Sequence, residues 1–162
     1  MTIRNITTSE YQVVLELNRI SVNFLSHLNI DKLLILLSEA KYHKVFLIDE
    51  KVAAFILAFD QKASYDSPNY LWFKERYSTF LYIDRIVVSD QYRRKGIADD
   101  LYNDLIEFAK TNNYPVLTCE IDKIPPNPGS IHFHDKHEFV EVGTQWLYNG
   151  EKQVSLRERK II

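Results

Sequence analysis

Apolar and polar positions along the chain follow the periods of both helices and strands. Segments in which apolar residues recur every three or four positions predict four helices, at about 10–27, 31–40, 97–112 and 130–137. Alternating or continuous apolar runs predict seven strands, at 3–6, 45–48, 52–59, 80–88, 115–121, 139–148 and 152–159. The aromatic but Pro-interrupted stretch 60–78 predicts an ordered loop with one helical turn.

This order of elements is typical of an α/β protein with one mixed sheet flanked by helices, in a single domain over residues 1–162. The strand 80–88, the helix 97–112 and the strand 115–121 should form a parallel, right-handed crossover. We also expect Asp31 to cap the second helix.

Regular alternation in the strand 80–88 divides its side chains between two faces. The two sets that this predicts are Phe80, Tyr82, Asp84, Ile86 and Val88 on one face, and Leu81, Ile83, Arg85 and Val87 on the other.

Charge and composition narrow the classes of function. The 162 residues are 46% hydrophobic and carry a formal net charge of −2, which argues against nonspecific binding of nucleic acid. Cys119 is the single cysteine, so no internal disulfide can form. No apolar run approaches the length of a membrane span, and the first residues lack the pattern of a secretory signal, so we expect a cytoplasmic protein.

A cluster of cations at the start of a predicted helix is the first candidate site. Arg93, Arg94 and Lys95 lie beside the positive end of the helix dipole, where cations are unfavourable unless an anion binds among them. Small residues at Gly96 and Ala98 would let a phosphate approach the backbone N–H groups. The alternative is a basic surface turn whose cations pair with Asp99 and Asp100.

Two motifs resemble those of the GNAT N-acyltransferase superfamily. The stretch from Val88 to Ala98, with Tyr92-Arg93-x-x-Gly96-Ile97-Ala98 after an apolar strand, is similar to its acetyl-CoA signature. The later Asn127-x-x-Ser130-x-x-Phe133-His134, followed by Glu138-Phe139, resembles its Asn-x-x-Ala-x-x-Phe-Tyr and Gly-Phe pattern. The resemblance covers nearly the whole chain, from Ile3 to Arg159.

The resemblance implies a fold and a cofactor site. The GNAT fold is a single α/β domain with a mixed, mostly antiparallel sheet of six to seven strands, about four helices, and a splay between the strands that match 80–88 and 115–121. Acetyl-CoA would bind in that splay as the cosubstrate. The implied binding residues are Ile86, Val87 and Val88 for pantetheine, Arg93, Arg94, Lys95, Gly96, Ile97 and Ala98 for pyrophosphate, and Asn127, Ser130, Phe133 and His134.

The implied activity is transfer of an acetyl group from acetyl-CoA to a primary amine of a small molecule or peptide, by direct attack. The acceptor would be selected by the helices between Ser9 and Ala40, the loop from Tyr65 to Phe73 and the hairpin around Trp146. A noncatalytic acyl-CoA-binding or regulatory module is the alternative. A homodimer through the edges of the C-terminal hairpin is a further possibility that the sequence leaves open.

Three residues are candidates for proton transfer. His134 stands where the family usually has a tyrosine acid, and its imidazole could protonate the departing thiolate. Asp84 and Glu120 compete as the base that takes the proton of the amine. The alternatives are a histidine that only packs or hydrogen-bonds, an Asp84 held in an ion pair, and loss of the amine proton to solvent. The five histidines and one cysteine show no paired metal-ligand motif, so we expect no metal.

Overall fold

The computed structural model describes residues 1–21 and 25–161 as one seven-stranded sheet with helices on both faces. The strands are β1 (Thr2–Asn5), β2 (Tyr42–Ile48), β3 (Lys51–Asp60), β4 (Leu81–Val88), β5 (Val116–Ile124), β6 (Val140–Leu147) and β7 (Lys152–Lys160). The helices are α1 (Tyr11–Ile20), α2 (Ile30–Glu39), α3 (Pro68–Lys74), α4 (Ile97–Thr111) and α5 (Pro128–Lys136). Among the described residues, no helix is long and apolar enough to span a membrane.

The sheet is antiparallel except at its centre. The strand order is β1-β2-β3-β4-β5-β7-β6, and β4 and β5 form the parallel pair of the predicted crossover through α4. These two strands are paired only where Leu81 and Tyr82 face Leu117 and Thr118. Beyond that point they separate, which confirms the predicted splay and fold.

Two apolar cores lie on opposite faces of the sheet. One joins α1, α2 and α3 to the sheet and includes Val14, Leu33 and Tyr82. The other lies under α4 and includes Leu101 and Leu105, which are fully buried. The splay therefore opens between two covered faces, and its walls can be built from both cores.

The predicted alternation in β4 is wrong beyond its middle. Leu57 of β3 pairs with Arg85 and Ala58 pairs with Ile83, so Asp84 is an extra residue in a β-bulge. Leu81 and Ile83 lie in the core under α4, whereas Val87 lies in the opposite core with Tyr82. Ile86 and Val88 consequently lie on the face of Leu81 and Ile83, not on that of Tyr82.

Two predicted helix boundaries also change. The first helix was expected to extend to about residue 27, but α1 ends at Ile20 and residues 25–29 are not helical; residues 22–24 lie outside the described residues. Asn29, not Asp31, caps α2, since its side chain accepts a hydrogen bond from the backbone N–H of Lys32 at 2.8 Å. Asn and Asp are about equally favourable as N-cap residues, and Asn29 and Asp31 both precede the apolar run of α2. The sequence alone therefore could not distinguish them.

The stretch 60–78 holds α3, whose seven residues form two turns where one turn was expected. The helix is fixed against the C-terminal hairpin, because Trp72 lies so close to Gly143 that a Cβ there would be 2.5 Å from its ring. Gln145 of β6 also donates a hydrogen bond to Asn69 of α3 at 3.1 Å. Helix α3 thus forms a fixed wall beside the splay.

Candidate functional site

A cavity of about 1,020 Å³ lies where β4 and β5 separate. One end reaches the basic turn before α4, and the other reaches the turn between β6 and β7 at Tyr148. All the predicted cofactor residues except Lys95 line it, together with Asp84 and Glu120. The two sequence motifs, about thirty residues apart in the chain, therefore meet at one cavity.

The basic turn has the backbone conformation that an anion site requires. Gly96 is the N-cap of α4 and has a φ of 77°, a left-handed conformation that favours glycine. Open space surrounds the position that its Cβ would occupy, so a ligand can approach the backbone there. The fifteen residues of α4 align their peptide dipoles toward this turn.

Among the described residues, the cations of the turn do not form the ion pairs with Asp99 and Asp100 that the alternative required. Asp99 is turned toward α5, where it accepts from Lys136 at 2.9 Å and from His137 at 2.7 Å. Arg93 pairs with Asp90 at 2.9 Å, but most of its side chain is exposed. The Lys95 ammonium lies over the ring of Tyr92, 5.5 Å from its centroid and outside the cavity wall.

The middle of the cavity is an open strand edge. Within the part of the chain that the structure describes, β4 has no partner strand on the β5 side beyond Tyr82. Ile86 and Val88 are half-buried there against the core under α4, and Val87 is buried on the opposite face. A ligand with amide groups can pair with such an edge while its apolar parts contact Ile86 and Val88.

The second motif forms the start of α5. Asn127 caps this helix by accepting from the backbone N–H of Ser130 at 3.3 Å. His134 is buried one turn further on, where its Nδ1 lies 2.7 Å from the carbonyl oxygen of Ser130 and its Nε2 lies 2.7 Å from the Tyr102 hydroxyl. A carbonyl oxygen can only accept, so Nδ1 carries the proton and Nε2 accepts from Tyr102.

This environment favours the neutral form of His134. Burial lowers the pKa of its imidazole to about 4, against the raising effect of the hydrogen bond to Ser130. With Nδ1–H donated to a carbonyl and Nε2 accepting from Tyr102, no free N–H is left for a leaving group. The geometry is that of a hydrogen-bonded, positioning histidine; its role as an acid stays a prediction.

Asp84 is fully engaged at the bulge. Its Oδ1 accepts from the Tyr65 hydroxyl at 2.5 Å, and its Oδ2 accepts from Arg85 Nε at 2.6 Å. Both charged side chains of this ion pair are almost completely buried. The bulge allows Asp84 and Arg85 to contact each other, because regular alternation would direct these two neighbouring side chains to opposite faces of the sheet.

Arg85 extends this network to α1 and the segment that follows it. Its Nη1 donates to Asn18 Oδ1 at 2.9 Å and to the carbonyl oxygen of Ser26 at 3.2 Å, and its Nη2 donates to Ser26 Oγ at 3.0 Å. Four of its five N–H groups are therefore satisfied within the protein. The ion pair is a structural link at the floor of the cavity.

Glu120 is the carboxyl group best suited to proton transfer. It is half-buried on β5, and its Oε2 accepts from the Tyr82 hydroxyl at 2.6 Å. The pKa of Glu120 is raised to about 7, chiefly by burial and also by the charge of Asp84, against the lowering effect of hydrogen bonds from Tyr82 and Asn69. A carboxyl group with that pKa can exchange a proton near neutral pH.

Three contacts at this site were not predicted from the sequence. In the sequence, Tyr102 is indicated only as part of the apolar face of α4. Its hydrogen bond to His134 depends on how α5 packs against α4. Tyr65 and Asn69 lie in the stretch that was expected to be mostly loop. An unusual density of aromatic residues in 60–78 was the available signal, but it did not specify which carboxyl groups they would contact.

Comparisons with known proteins identify the family and the fold. The profile of the Acetyltransferase (GNAT) family matches residues 3–139. Streptothricin acetyltransferase A of Bacillus subtilis is 33% identical over 67 residues, an aligned segment that spans only 41% of this chain and 38% of that protein.

Solved structures show the same fold at low identity. Ard1 from Thermoplasma volcanium has a TM-score of 0.80 at 18% identity, with 99% of this chain and 97% of that chain covered. An N-acetyltransferase from Staphylococcus aureus has a TM-score of 0.74 at 20% identity, covering 99% and 98%. Arabidopsis thaliana Naa50, solved in complex with the bisubstrate analogue CoA-Ac-MVNAL, has a TM-score of 0.73 at 15% identity, covering 98% and 97%. Because the family profile covers most of the chain and the motifs meet at one cavity, the protein belongs to the GNAT acetyltransferase family.

Proposed function

We propose that this protein is an N-acetyltransferase that moves the acetyl group of acetyl-CoA to a primary amine by direct attack. The observation that carries the proposal is the single cavity that joins the anion turn at Gly96 to the titratable carboxyl group of Glu120. Donor and acceptor could thus be held together without a covalent enzyme intermediate, which suits a reaction driven by positioning.

The residues present fit acetyl-CoA. Its pyrophosphate needs backbone donors and nearby cations, and the turn offers a helix N-terminus with Arg93 and Arg94 on the cavity wall. Its pantetheine arm carries amide groups, which the open edge of β4 can pair. Bound acetyl-CoA would supply the thioester, and a backbone N–H near Val88 would polarise the thioester carbonyl.

We assign the base to Glu120 in preference to Asp84. An amine attacks only when neutral, so a group that accepts its proton must be ionised and accessible. Both oxygens of Asp84 already accept short hydrogen bonds, whereas Glu120 is partly open to the cavity and titrates near neutral pH. Asp84 would act through its charge and through the bulge that it stabilises.

The departing thiolate needs less assistance from the protein than the attacking amine does. Thiols have pKa values of about 8.5, so a thiolate can leave near neutral pH without a dedicated acid. In this account His134 holds Tyr102 and the start of α5 in position, and its proton donation remains the alternative.

The test is release of free thiol from acetyl-CoA in the presence of a panel of amines, with the acetylated product identified by mass. The proposal expects amine-dependent thiol release by the wild-type protein and at least a hundredfold loss of kcat/KM in Glu120→Gln, the usual scale for removal of a general base. Glu107→Gln, on the exposed outer surface of α4, is the matched control and should retain full activity. Tight binding of acetyl-CoA with no transfer to any amine would instead support the noncatalytic module.

A further inference from the structure

We propose that the acceptor is a primary amine whose neighbouring groups carry no charge, such as a peptide α-amine or a monoamine, and not a free amino acid or a polyamine. This inference rests on the proposed function and concerns the half of the same cavity that lies beyond Glu120. The inference rests on the charged residues that line that half of the cavity.

Every cation on this part of the cavity wall, among the residues that the structure describes, is already ion-paired. Arg85 is bound to Asp84 and has four of its five N–H groups satisfied. Lys152 of β7 is paired with Asp122 of β5 at 3.0 Å, and both side chains are mostly buried. On the half of the wall beyond Glu120, no cation of the described residues is left to bind the carboxylate of an amino acid.

A carboxylate next to the reacting amine would also meet negative charge. Glu120 and Asp122 are two residues apart on one face of β5, about 7 Å along the strand. An amine placed to give its proton to Glu120 would hold its own α-carboxylate beside the ionised Glu120, and the Asp122–Lys152 pair offers no net positive charge to offset this. Like charges at this separation repel strongly where burial reduces screening.

A second ammonium group on the acceptor would also be bound weakly. Apart from Glu120, which must take the proton of the reacting amine, the carboxylates on this half of the described wall are Asp84 and Asp122, and each is already bound to a cation. A diamine would have to displace Arg85 or Lys152 from a mostly buried partner. Neutral neighbours avoid both costs, since the wall also offers uncharged surfaces such as Tyr65, Leu147 and Tyr148.

The test compares three forms of the same compound: an amino acid, its amide, and the amine left after removal of the carboxyl group. Alanine, leucine and phenylalanine provide three such sets, and putrescine beside butylamine tests the second charge. Rates are referred to the concentration of neutral amine, because the amide and the amino acid differ in basicity. The inference expects kcat/KM for the amide and the amine to exceed that for the amino acid by at least about tenfold.

Two variants of the Asp122–Lys152 ion pair should each relax one of these two preferences. Asp122→Asn leaves Lys152 without its carboxylate partner, so the tenfold discrimination against free amino acids should fall to about threefold or less. Lys152→Met leaves Asp122 without its cation, so putrescine should gain relative to butylamine. Circular dichroism and thermal melting check that both variants remain folded.

The outcomes separate the inference from the proposed function. Equal or faster acetylation of free amino acids or putrescine by the wild-type protein overturns the inference and leaves the acetyltransferase activity in place. If Asp122→Asn and Lys152→Met both remain folded and neither changes the selectivity among these amines, the inference is likewise overturned and the acetyltransferase activity is unaffected. Absence of transfer to every compound overturns the proposed function, and with it this inference.

Discussion

At the scale of single residues, the raised pKa of Glu120 that suits its proposed role as the base also has a cost in stability. Its pKa is raised from 4.5 to about 7, so the folded protein binds a proton that the unfolded chain has lost between those two pH values. Stability therefore falls as pH rises through this range, and the ionised, buried group destabilises the fold above it. A shift of this size corresponds to about 3 kcal/mol.

Glu120→Gln should accordingly stabilise the protein at alkaline pH while it removes activity. Urea denaturation at pH 8 should give a free energy of unfolding about 2 to 3 kcal/mol higher than that of the wild type, since the glutamine still accepts from Tyr82 and carries no charge. Near pH 4 the two proteins should be equal within error. A variant that is less stable at pH 8 would show that the carboxylate is stabilised in place.

His134 should have the opposite dependence on pH. Its pKa is lowered from 6.5 to about 4, so the unfolded chain binds the extra proton in that range and stability is lost as pH falls through it. His134→Gln keeps an acceptor for Tyr102 and a donor for Ser130 but does not titrate. We expect it to reduce the loss of stability between pH 6.5 and pH 4 by about 2 to 3 kcal/mol, measured by denaturation at both values.

Activity distinguishes the two roles of this histidine. If His134 only positions its neighbours, His134→Gln should retain kcat within about threefold and leave the alkaline side of the pH profile unchanged. A loss of a hundredfold or more, together with a shifted alkaline limb, would restore its assignment as the acid.

At the scale of elements, the turn before α4 is the clearest link between local conformation and binding. Gly96→Ala places a Cβ at a left-handed position and into the open space where a phosphate would approach. We expect KM for acetyl-CoA to rise about tenfold or more with a loss of stability near 1 kcal/mol.

Gly150→Ala is the matched control, because Gly150 also has a positive φ of 88° and open space around its Cβ position but lies in the β6–β7 turn. It should cost similar stability and leave KM for acetyl-CoA unchanged. The same rise in KM in both variants would mean that backbone strain, and not the approach of the phosphates, caused the effect. Isothermal titration with acetyl-CoA provides the independent measurement.

Some of these elements could be predicted from the sequence and others could not. The β-α-β crossover and the C-terminal hairpin could be predicted because their apolar patterns and turn residues are local signals. The bulge at Asp84 could not, since a bulge depends on the register with β3 and leaves no mark in the pattern of β4 itself. It changes which side chains meet, and it turns a candidate base into half of a buried ion pair.

Helix α3 is a second such case. Its residues read as a loop because Pro68 and polar neighbours interrupt the apolar period, yet Pro occupies the first turn, where a helix tolerates it. Packing of Trp72 against Gly143 then holds the helix at the cavity. A contact between residues so far apart in the chain cannot be inferred from either segment alone.

At the scale of the whole molecule, the fold brings two distant motifs together by separating two strands. The crossover through α4 places the basic turn at the open end of β4, and α5 closes the same cavity from the other side. The position of the basic turn at one end of the cavity could be predicted because its motif is contiguous in the chain. The surroundings of Glu120 could not, since Tyr82, Asn69 and Glu120 come from three elements and only their packing sets the pKa of the carboxyl group.

The most direct test of this account is the pH dependence of kcat/KM for the amine, measured with saturating acetyl-CoA in the wild type, Glu120→Gln and the control Glu107→Gln. After correction for the ionisation of the amine, the account predicts that the wild type and the control lose activity about tenfold per unit below a pKa near 7, and that Glu120→Gln has at most a hundredth of their activity with no such limb. Absence of acetylated amine in the wild type, or an unchanged acidic limb in Glu120→Gln, would contradict it.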